Sequence, residues 1–551
     1  MYQCKNCGGD LKFRVSTQML SCESCESEFS PYDLSREKDA EHPDYYETNV
    51  FRCPQCGAEL LSENQSIVGE CSFCGSSSFL EAKVKAQKRP ESIIPFQITE
   101  VGCKEEYQKR IKRALYAPGK IRDESFMNRV RGIYMPYYDY EMEANQENLQ
   151  TYVYTTETTP NYIIKKHYSY IGDLDEEDRG ISFDASTTFP DYLSDNIAPY
   201  QLDEKKPFTP AYLCGFYGDA PDLEKEDYEE SAKELQSLLV VDQIKDLVKL
   251  EGYQMDDNER IRVSKAIPGT VKKANLSLFP VWFCYYKMRD RIVYGVMNGQ
   301  TGKFSMDIPI SLGKYLLFSL LTTFVLFGMS LLTNFTMMPR TTVFASMILC
   351  LVTFLIQASD LKKLRARDLQ EDDLGNLIGK ARKDGKTVLK KKATMGYSDE
   401  GEEGNKNAFV RFKRNSNVIR YVFSYGILVY VLYRFSSEIS RFGTGSGSGF
   451  LAGMIDQINI LSLACFIGCF IIYSRIAKTI GNLKSMPKRI GIHVQFLASA
   501  ASLIMVITDP AEDRILYGTA LVMLICLVWG IGNFFEYNNR IATKPIPQIK
   551  V

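Results

Sequence analysis

The first 80 residues contain a cysteine pattern that occurs twice in the same register. The first copy has the spacing Cys-x2-Cys-x14-Cys-x2-Cys, at Cys4, Cys7, Cys22 and Cys25. The second copy repeats that spacing 49 residues later, at Cys53, Cys56, Cys71 and Cys74. Because all four positions recur with one offset, the segment is interpreted as a duplicated module.

The spacing predicts a Cys4 zinc ribbon in each copy, at residues 1–34 and 50–80, joined by a linker at 35–49. Two residues between cysteines let one tight turn aim both sulfurs at one point, and two such knuckles complete a tetrahedron around Zn2+. A module of about 30 residues has a small core, so metal binding should supply most of its stability. Thiolates fill all four positions, which predicts two structural zinc ions; a Cys4 iron site is the alternative.

The cysteine distribution also indicates a compartment. The other seven cysteines are scattered along the chain, and several lie inside apolar runs. A disulfide framework is not usually arranged in this way, so metal ligands and buried thiols in a reducing compartment are expected. The first residues, MYQCKNCGGD, have neither the basic start nor the apolar core of a secretory signal.

The charge of residues 1–80 argues against a surface that binds nucleic acid. The segment contains six Lys or Arg and thirteen Asp or Glu, a formal charge of −7. Each Zn(Cys)4 centre adds about −2, because four thiolates outweigh one dication. Phosphate binding requires clustered cations, so protein docking is the favoured hypothesis and nucleic-acid binding is the alternative.

Residues 81–312 are predicted to form a mixed α+β, strand-rich cytosolic domain. Strands are expected at 132–140, 151–156, 162–170 and 291–297, with a hairpin turn at Asn298-Gly299. Helices are expected near 103–116 and from Ser231, where Glu234 suggests a capping box, to Gly252. The acidic stretch 173–178 is expected to be a solvated face or loop. His167 is the domain's one histidine and no catalytic arrangement is apparent, so the chain is predicted not to be an enzyme.

Residues 1–312 resemble a known family. The ribbon signature is followed by IIPF at 93–96, GIYMPYYDYE at 132–141 and FPVWFCYYK…VMNGQTGK at 279–303. These segments resemble the bacterial transcription-factor-IIB-type zinc-ribbon membrane proteins of unassigned function. Some members of that family are similar to partners of phage-shock-protein-A-like and stomatin/flotillin-like proteins in envelope stress. The resemblance therefore implies such cytosolic proteins as partners.

The remainder of the chain alternates apolar runs with charged loops. About six membrane spans are predicted in an all-α domain: a helical hairpin at 313–358, a basic loop at 359–417, helices 3–6 at 418–536 and a tail at 537–551. The third run, 419–433, is short and is flanked by Arg420 and Arg434, so it either spans with snorkelling arginines or lies in the interface.

Positively charged loops predict the orientation. Residues 359–420 contain sixteen Lys or Arg and ten Asp or Glu, and the loop 475–489 and the tail are also basic. Six spans place these segments on one side, so a multi-pass plasma-membrane protein with both termini in the cytoplasm is expected. The basic loop predicts contact with anionic membrane lipids, although topology alone also requires cations there.

These features together predict a membrane-anchored zinc-ribbon scaffold or sensor that recruits cytosolic proteins, in the context of envelope stress. The first alternative is a membrane-tethered nucleic-acid-binding or transcription-regulatory protein. A further alternative is a transporter with a regulatory zinc head, which the scarcity of ionisable residues within the apolar runs disfavours.

Overall fold

The computed structural model describes residues 2–34, 44–54, 59–62, 71, 81–122, 130–159, 162–187, 189–288, 291–332, 338–368, 448–481 and 490–545. Within these ranges the chain has an N-terminal cysteine cluster on a small sheet, a strand-rich sheet domain and a C-terminal helical region. Cys56, Cys74, the apolar run 419–433 and most of the basic loop lie outside the described residues.

Two sheets are present in the described residues. The small sheet has the order β1–β2–β3, with strands β1 (Leu11–Arg14), β2 (Met19–Cys22) and β3 (Glu28–Phe29). The large sheet contains β4 (Tyr45–Arg52), β5 (Glu59–Ser62), β6 (Glu81–Lys88), β7 (Ser92–Ile93), β8 (Val130–Thr158), β9 (Ile163–Asp184), β10 (Lys206–Pro207), β11 (Tyr217–Asp219), β12 (Gly269–Met288), β13 (Arg291–Asn298), β14 (Phe304–Met306) and β15 (Lys544–Pro545). Its main path is β10–β7–β12–β8–β11–β5–β4–β6, with β9 on β8 and with β13 joining β12, β14 and β15.

The centre of the large sheet is the antiparallel pair β8 and β12, which runs from Gly269 opposite Ala144 to Cys284 opposite Val130 with one register shift between Val271 and Lys273. Residues 132–140 of β8 are buried on both faces, because the sheet packs on both sides there. The buried tyrosines satisfy their hydroxyl groups. Tyr138 donates to the carbonyl of Leu223 and Tyr140 donates to that of Lys225.

Four helices pack on or beside this sheet: α1 (Glu100–Arg113), α2 (Asp191–Ile197), α3 (Glu229–Leu250) and α4 (Asp257–Ala266). Helix α1 begins three residues before its predicted start because Thr99 Oγ1 caps it by accepting from the N–H of Gly102. Helix α3 begins at Glu229, so the predicted capping box at Ser231 is wrong. The capping box joins Glu224 and Asp227 in the preceding 3₁₀ turn. Gly252, with φ +88°, follows α3 as predicted.

The predicted strands are confirmed, and two of them are longer than expected. Strands 132–140 and 151–156 are parts of the single 29-residue strand β8, and 162–170 lies at the start of the 22-residue strand β9. The acidic stretch 173–178 is part of β9, and residues 173, 175 and 177 are exposed, so it is a solvated face, one of the two predicted possibilities, and not a loop. Its side chains alternate across the sheet, and Glu177 pairs with Lys272 at 2.5 Å, which accommodates acidic residues in a strand.

The helical region contains α5 (Leu312–Leu332), α6 (Pro339–Asp368), α7 (Ser448–Gly481), α8 (Ile490–Thr508) and α9 (Asp513–Ala542). Four segments within α6 to α9 have the length and composition of membrane spans: Pro339–Leu361, Leu461–Ile480, Gly491–Thr508 and Asp513–Ala542. In α5 the shorter apolar segment Leu312–Val325 is described. Against the roughly six spans predicted, the described residues therefore contain four helices that are long and apolar enough to cross a membrane.

Helices α6 and α7 run in the same direction. Arg340 Nη2 donates to Asn459 Oδ1 at 2.8 Å, near the start of α6. Further along, Leu351 approaches Gly468, and the rings of Phe354 and Tyr473 lie 6.3 Å apart. Residue numbers rise together along both helices, so the two pack parallel. Helix α8 is antiparallel to α6, since Gln357 contacts Gln495 and Arg340 contacts Asp509.

The sheet domain is bonded to the ends of three of these helices. Arg291 of β13 donates to Thr543 Oγ1 at 2.5 Å and to the carbonyl of Arg540 at 2.6 Å, beyond which β15 pairs with β13. Asn539 of α9 exchanges two hydrogen bonds with the backbone of Ile310. The junction also holds an Arg367–Asp307 ion pair at 3.1 Å from the end of α6, and a bond from Lys314 of α5 to the carbonyl of Ala117.

Candidate metal centre

The four cysteines of the first module converge on one point. Their sulfur atoms all lie within 4.8 Å of one another. Cys4 Sγ is 3.5 Å from Cys25 Sγ, and Cys7 Sγ is 3.4 Å from Cys22 Sγ. A regular tetrahedron with Zn–S near 2.3 Å has sulfur–sulfur separations of about 3.8 Å. The set therefore has the chemistry and spacing to hold a tetrahedral metal ion such as Zn2+.

Two similar turns aim these sulfurs. In the first, the N–H of Gly8 donates to the carbonyl of Cys4 at 2.9 Å; in the second, the N–H of Glu26 donates to that of Cys22 at 3.0 Å. Gly8 has φ +73° and Glu26 has φ +57°. Gly8, directly after the second cysteine of its pair, adopts this left-handed conformation without a steric penalty, whereas Glu26 adopts it in the second turn, where it is strained for a side chain with a Cβ.

Hydrogen bonds to the sulfurs favour thiolates. The Ser27 hydroxyl and N–H at Cys25 lower the pKa of that thiol to about 6. The N–H groups of Cys25 and Ser24 lower the pKa of Cys22. At Cys7 the Gly9 N–H also lowers the pKa, but the neighbouring sulfurs outweigh it and raise the pKa to about 12. A cation is needed to hold all four sulfurs as thiolates together.

The cysteine cluster is packed against the large sheet domain. Cys4 and Cys22 are buried, whereas Cys7 and Cys25 are exposed. The ring of Phe13 lies 5.1 Å from that of Tyr212, and the N–H of Phe13 donates to the carbonyl of Cys214 at 2.9 Å. Gln18 Nε2 donates to the carbonyl of Phe96 at 2.8 Å. The first module therefore shares a hydrophobic core with the sheet domain.

Sequence reasoning did not anticipate this shared core. The apolar positions Leu11, Phe13 and Leu20 were compatible with the interior of a separate ribbon. The alternation of apolar and basic residues in β1, where Leu11 and Phe13 are separated by Lys12 and followed by Arg14, was the signal available in the sequence. Alternation reveals a buried face but does not identify the partner that covers it.

The second set of cysteines is described only in part. Cys53 and Cys71 are both buried in the core of the large sheet, with Phe51, Leu60 and Ile133 nearby. Strands β4 and β5 flank this site and lie between β11 and β6, so the second module is continuous with the large sheet. Cys56 and Cys74 lie outside the described residues, and the prediction of a second Cys4 site remains a prediction.

Other titratable groups in the described ranges do not form a comparable cluster. Cys103 and Cys284 form a buried pair with sulfurs 3.9 Å apart. His167 packs against the ring of Tyr154, with centroids 5.7 Å apart. In the described part of the chain, one group of three or more His, Cys, Asp or Glu side chains is arranged to hold a metal ion. It consists of Cys4, Cys7, Cys22 and Cys25.

Comparison with known proteins identifies a curated relative. The Bacillus subtilis (strain 168) protein described as "Uncharacterized protein YdjG" is 30% identical to this chain over 317 residues, which cover 57% of this chain and 91% of that protein. No protein-family model and no solved structure matches the chain.

Proposed function

The chain belongs to the same family as the uncharacterized protein YdjG of Bacillus subtilis, and from this premise we propose that it is a membrane-anchored zinc-ribbon scaffold that recruits cytosolic proteins to the membrane. The proposal includes two structural zinc ions and no catalytic activity. The partners follow from the sequence resemblance: proteins like phage-shock protein A or the stomatins and flotillins, in a response to envelope stress.

The observation that carries the proposal is a continuous chain of contacts from the cysteine cluster to the helix ends. The first module, which holds the cluster, packs on the sheet domain through Phe13 and Gln18. The same sheet is bonded to the helical region through Arg291 and Asn539. A domain attached in this way is a platform at a fixed position on the membrane, which suits a scaffold.

The arrangement of the metal centre supports a structural role. Four protein sulfurs saturate a tetrahedral ion and leave no position for a water or substrate. The second zinc is assigned to Cys53, Cys56, Cys71 and Cys74 on their spacing, which repeats that of the first set. Metal binding would deprotonate these cysteines, and the cation would then neutralise the thiolates of Cys53 and Cys71, which are buried in the apolar core.

Helix directions support six crossings with both termini in the cytoplasm. Helices α6 and α7 are parallel, and both end on the side of the sheet domain. If both span the membrane, the chain crosses an odd number of times between Asp368 and Ser448. The apolar run 419–433 is the segment whose composition suits that crossing. The basic loop and the sheet domain then share the cytosolic side, next to anionic lipids.

This topology predicts opposite accessibility for two loop positions. Ser446→Cys should react with a membrane-impermeant maleimide in intact cells, because it follows the third crossing. Ala393→Cys, in the basic loop, should react only after the cells are permeabilised. Equal labelling of the two positions in intact cells would contradict the six-span arrangement. Labelling of the unsubstituted chain measures the background that its native cysteines contribute.

The scaffold function is tested by purification of the full chain from native membranes in mild detergent, followed by mass spectrometry. We expect stoichiometric cytosolic proteins that survive nuclease treatment and are lost from the Cys71→Ser variant. Ser72→Ala, beside the same cysteine, is the matched control and should retain them. Partners that disappear on nuclease treatment would replace the scaffold with the nucleic-acid-binding alternative.

A further inference from the structure

The distal parts of β8 and β9 form an exposed hairpin arm, defined here as residues 149–159 and 162–173. Every residue from 162 to 173 is exposed, although the segment is rich in Tyr and Ile. Tyr162 is 74% exposed, Ile163 69% and Ile171 61%. Such a surface on a soluble domain indicates an interaction site or an aggregation hazard.

One edge of the arm is covered by the chain itself. On the β8 side, Tyr154 exchanges two backbone hydrogen bonds of 2.8 Å with Gln254. Arg262 donates to the carbonyl of Gln150, and Glu259 accepts from the N–H of Tyr152. These contacts hold the arm from one side and satisfy its backbone there.

The opposite edge, on β9, is open. Tyr154 lies opposite His167 in the β8–β9 ladder, but its N–H and C=O bond to Gln254 on the other side of β8. Tyr154 and His167 are therefore a non-hydrogen-bonded pair, and the N–H and C=O of His167 point away from β8. By alternation the same holds for Lys165, Ser169 and Ile171. No strand in the described part of the chain pairs with this side of β9. The edge therefore presents a row of outward-pointing backbone N–H and C=O groups on a strand that pairing with β8 already holds extended.

The charges along this edge are self-complementary. The outer half carries Lys165 and Lys166, and the inner half carries Asp173, Asp175 and Glu176. Lysines on an open edge discourage pairing with neutral or basic strands. An antiparallel second copy centred on Tyr170 places Lys165 opposite the Asp175 position of the other chain, whereas a parallel copy places like charges together.

We propose that two copies of this protein associate by antiparallel pairing of their β9 edges around Tyr170. On the order of ten backbone hydrogen bonds join the two arms, by the geometry of antiparallel ladders. Opposite charges at both ends fix the register. This inference is independent of the recruited partners: it concerns how the scaffold assembles with itself.

The test is oxidative cross-linking of the full chain in native membranes. At a two-fold axis through Tyr170 the facing Cα atoms form a non-hydrogen-bonded pair about 4.5 Å apart, which suits a disulfide. Tyr170→Cys should therefore give a disulfide-linked homodimer above the background of the unsubstituted chain. Tyr152→Cys is the control, because that residue is 48% exposed but lies on the covered strand β8; it should remain monomeric.

Charge exchange tests the register. In the Tyr170→Cys background, Lys165→Glu or Asp175→Lys should each lower the dimer yield about threefold or more, and the two together should restore it. Ser169→Pro should also lower the yield, since proline removes an outward N–H without affecting the bonds to β8. Absence of a Tyr170→Cys dimer, an equal yield at Tyr152→Cys, or a product that contains a different protein would overturn the proposal. Partner copurification, measured separately, decides the scaffold function whatever the result here.

Discussion

Cys22→Ser is expected to lower the apparent melting temperature of the sheet domain by about 10 °C, equivalent to roughly 4 kcal/mol for a domain of this size. The substitution removes one of the four sulfurs of the proposed structural metal centre. The effect should spread beyond the first module because Cys22, Phe13 and Trp282 belong to one hydrophobic core.

Tryptophan fluorescence measures this effect directly. The chain has two tryptophans, Trp282 in the shared core and Trp529 in α9. In a Trp529→Phe background the unfolding signal comes from Trp282 alone. Ser24→Ala is the matched control: it lies in the same turn as Cys22, keeps its backbone N–H and leaves all four sulfurs in place. Equal melting temperatures for Cys22→Ser and Ser24→Ala would show that the cluster does not stabilise the sheet domain.

Asn298→Ala is expected to destabilise the sheet domain by about 3 kcal/mol. The Asn298 side chain is fully buried. Its amide donates to the carbonyls of Ile197 and Pro199, and its Oδ1 accepts from the N–H groups of Gln300 and Thr301. Alanine leaves these groups buried without partners, so the loss exceeds that of one hydrogen bond.

The same Trp282 signal reports this loss as a decrease in melting temperature of about 6–12 °C. Thr301→Ala provides the comparison, because Thr301 is exposed and its backbone N–H is unchanged. Equal melting temperatures for Asn298→Ala and Thr301→Ala would show that the bonds of Asn298 to Ile197 and Pro199 do not stabilise the junction between α2 and β13.

The turn at Asn298 shows which contacts the local sequence predicts and which it does not. The Asn-Gly pair predicted a turn, and the N–H of Asn298 donates to the carbonyl of Lys303 at 2.9 Å. The bonds to Ile197 and Pro199 join segments about 100 residues apart. Local propensity contains no information on such contacts, which depend on the packing of α2 against the sheet.

A similar division applies to the cysteines. Spacing alone predicted that Cys4, Cys7, Cys22 and Cys25 converge, because two-residue intervals fix knuckle geometry. Spacing did not predict that Phe13 of the same module packs on Tyr212 and Phe216, since that contact depends on tertiary structure. In the helical region, apolar runs predicted where helices lie. Their parallel or antiparallel packing required contacts such as Arg340 with Asn459.

The measurement that tests the central claim most directly is the metal content of the full chain, purified in mild detergent and analysed by native mass spectrometry with element analysis. The account predicts two zinc ions per chain, one in Cys22→Ser and one in Cys71→Ser. Iron in place of zinc would replace the zinc assignment by the Cys4 iron alternative, whereas a metal content unchanged by either substitution would contradict the claim that two Cys4 centres hold this head together.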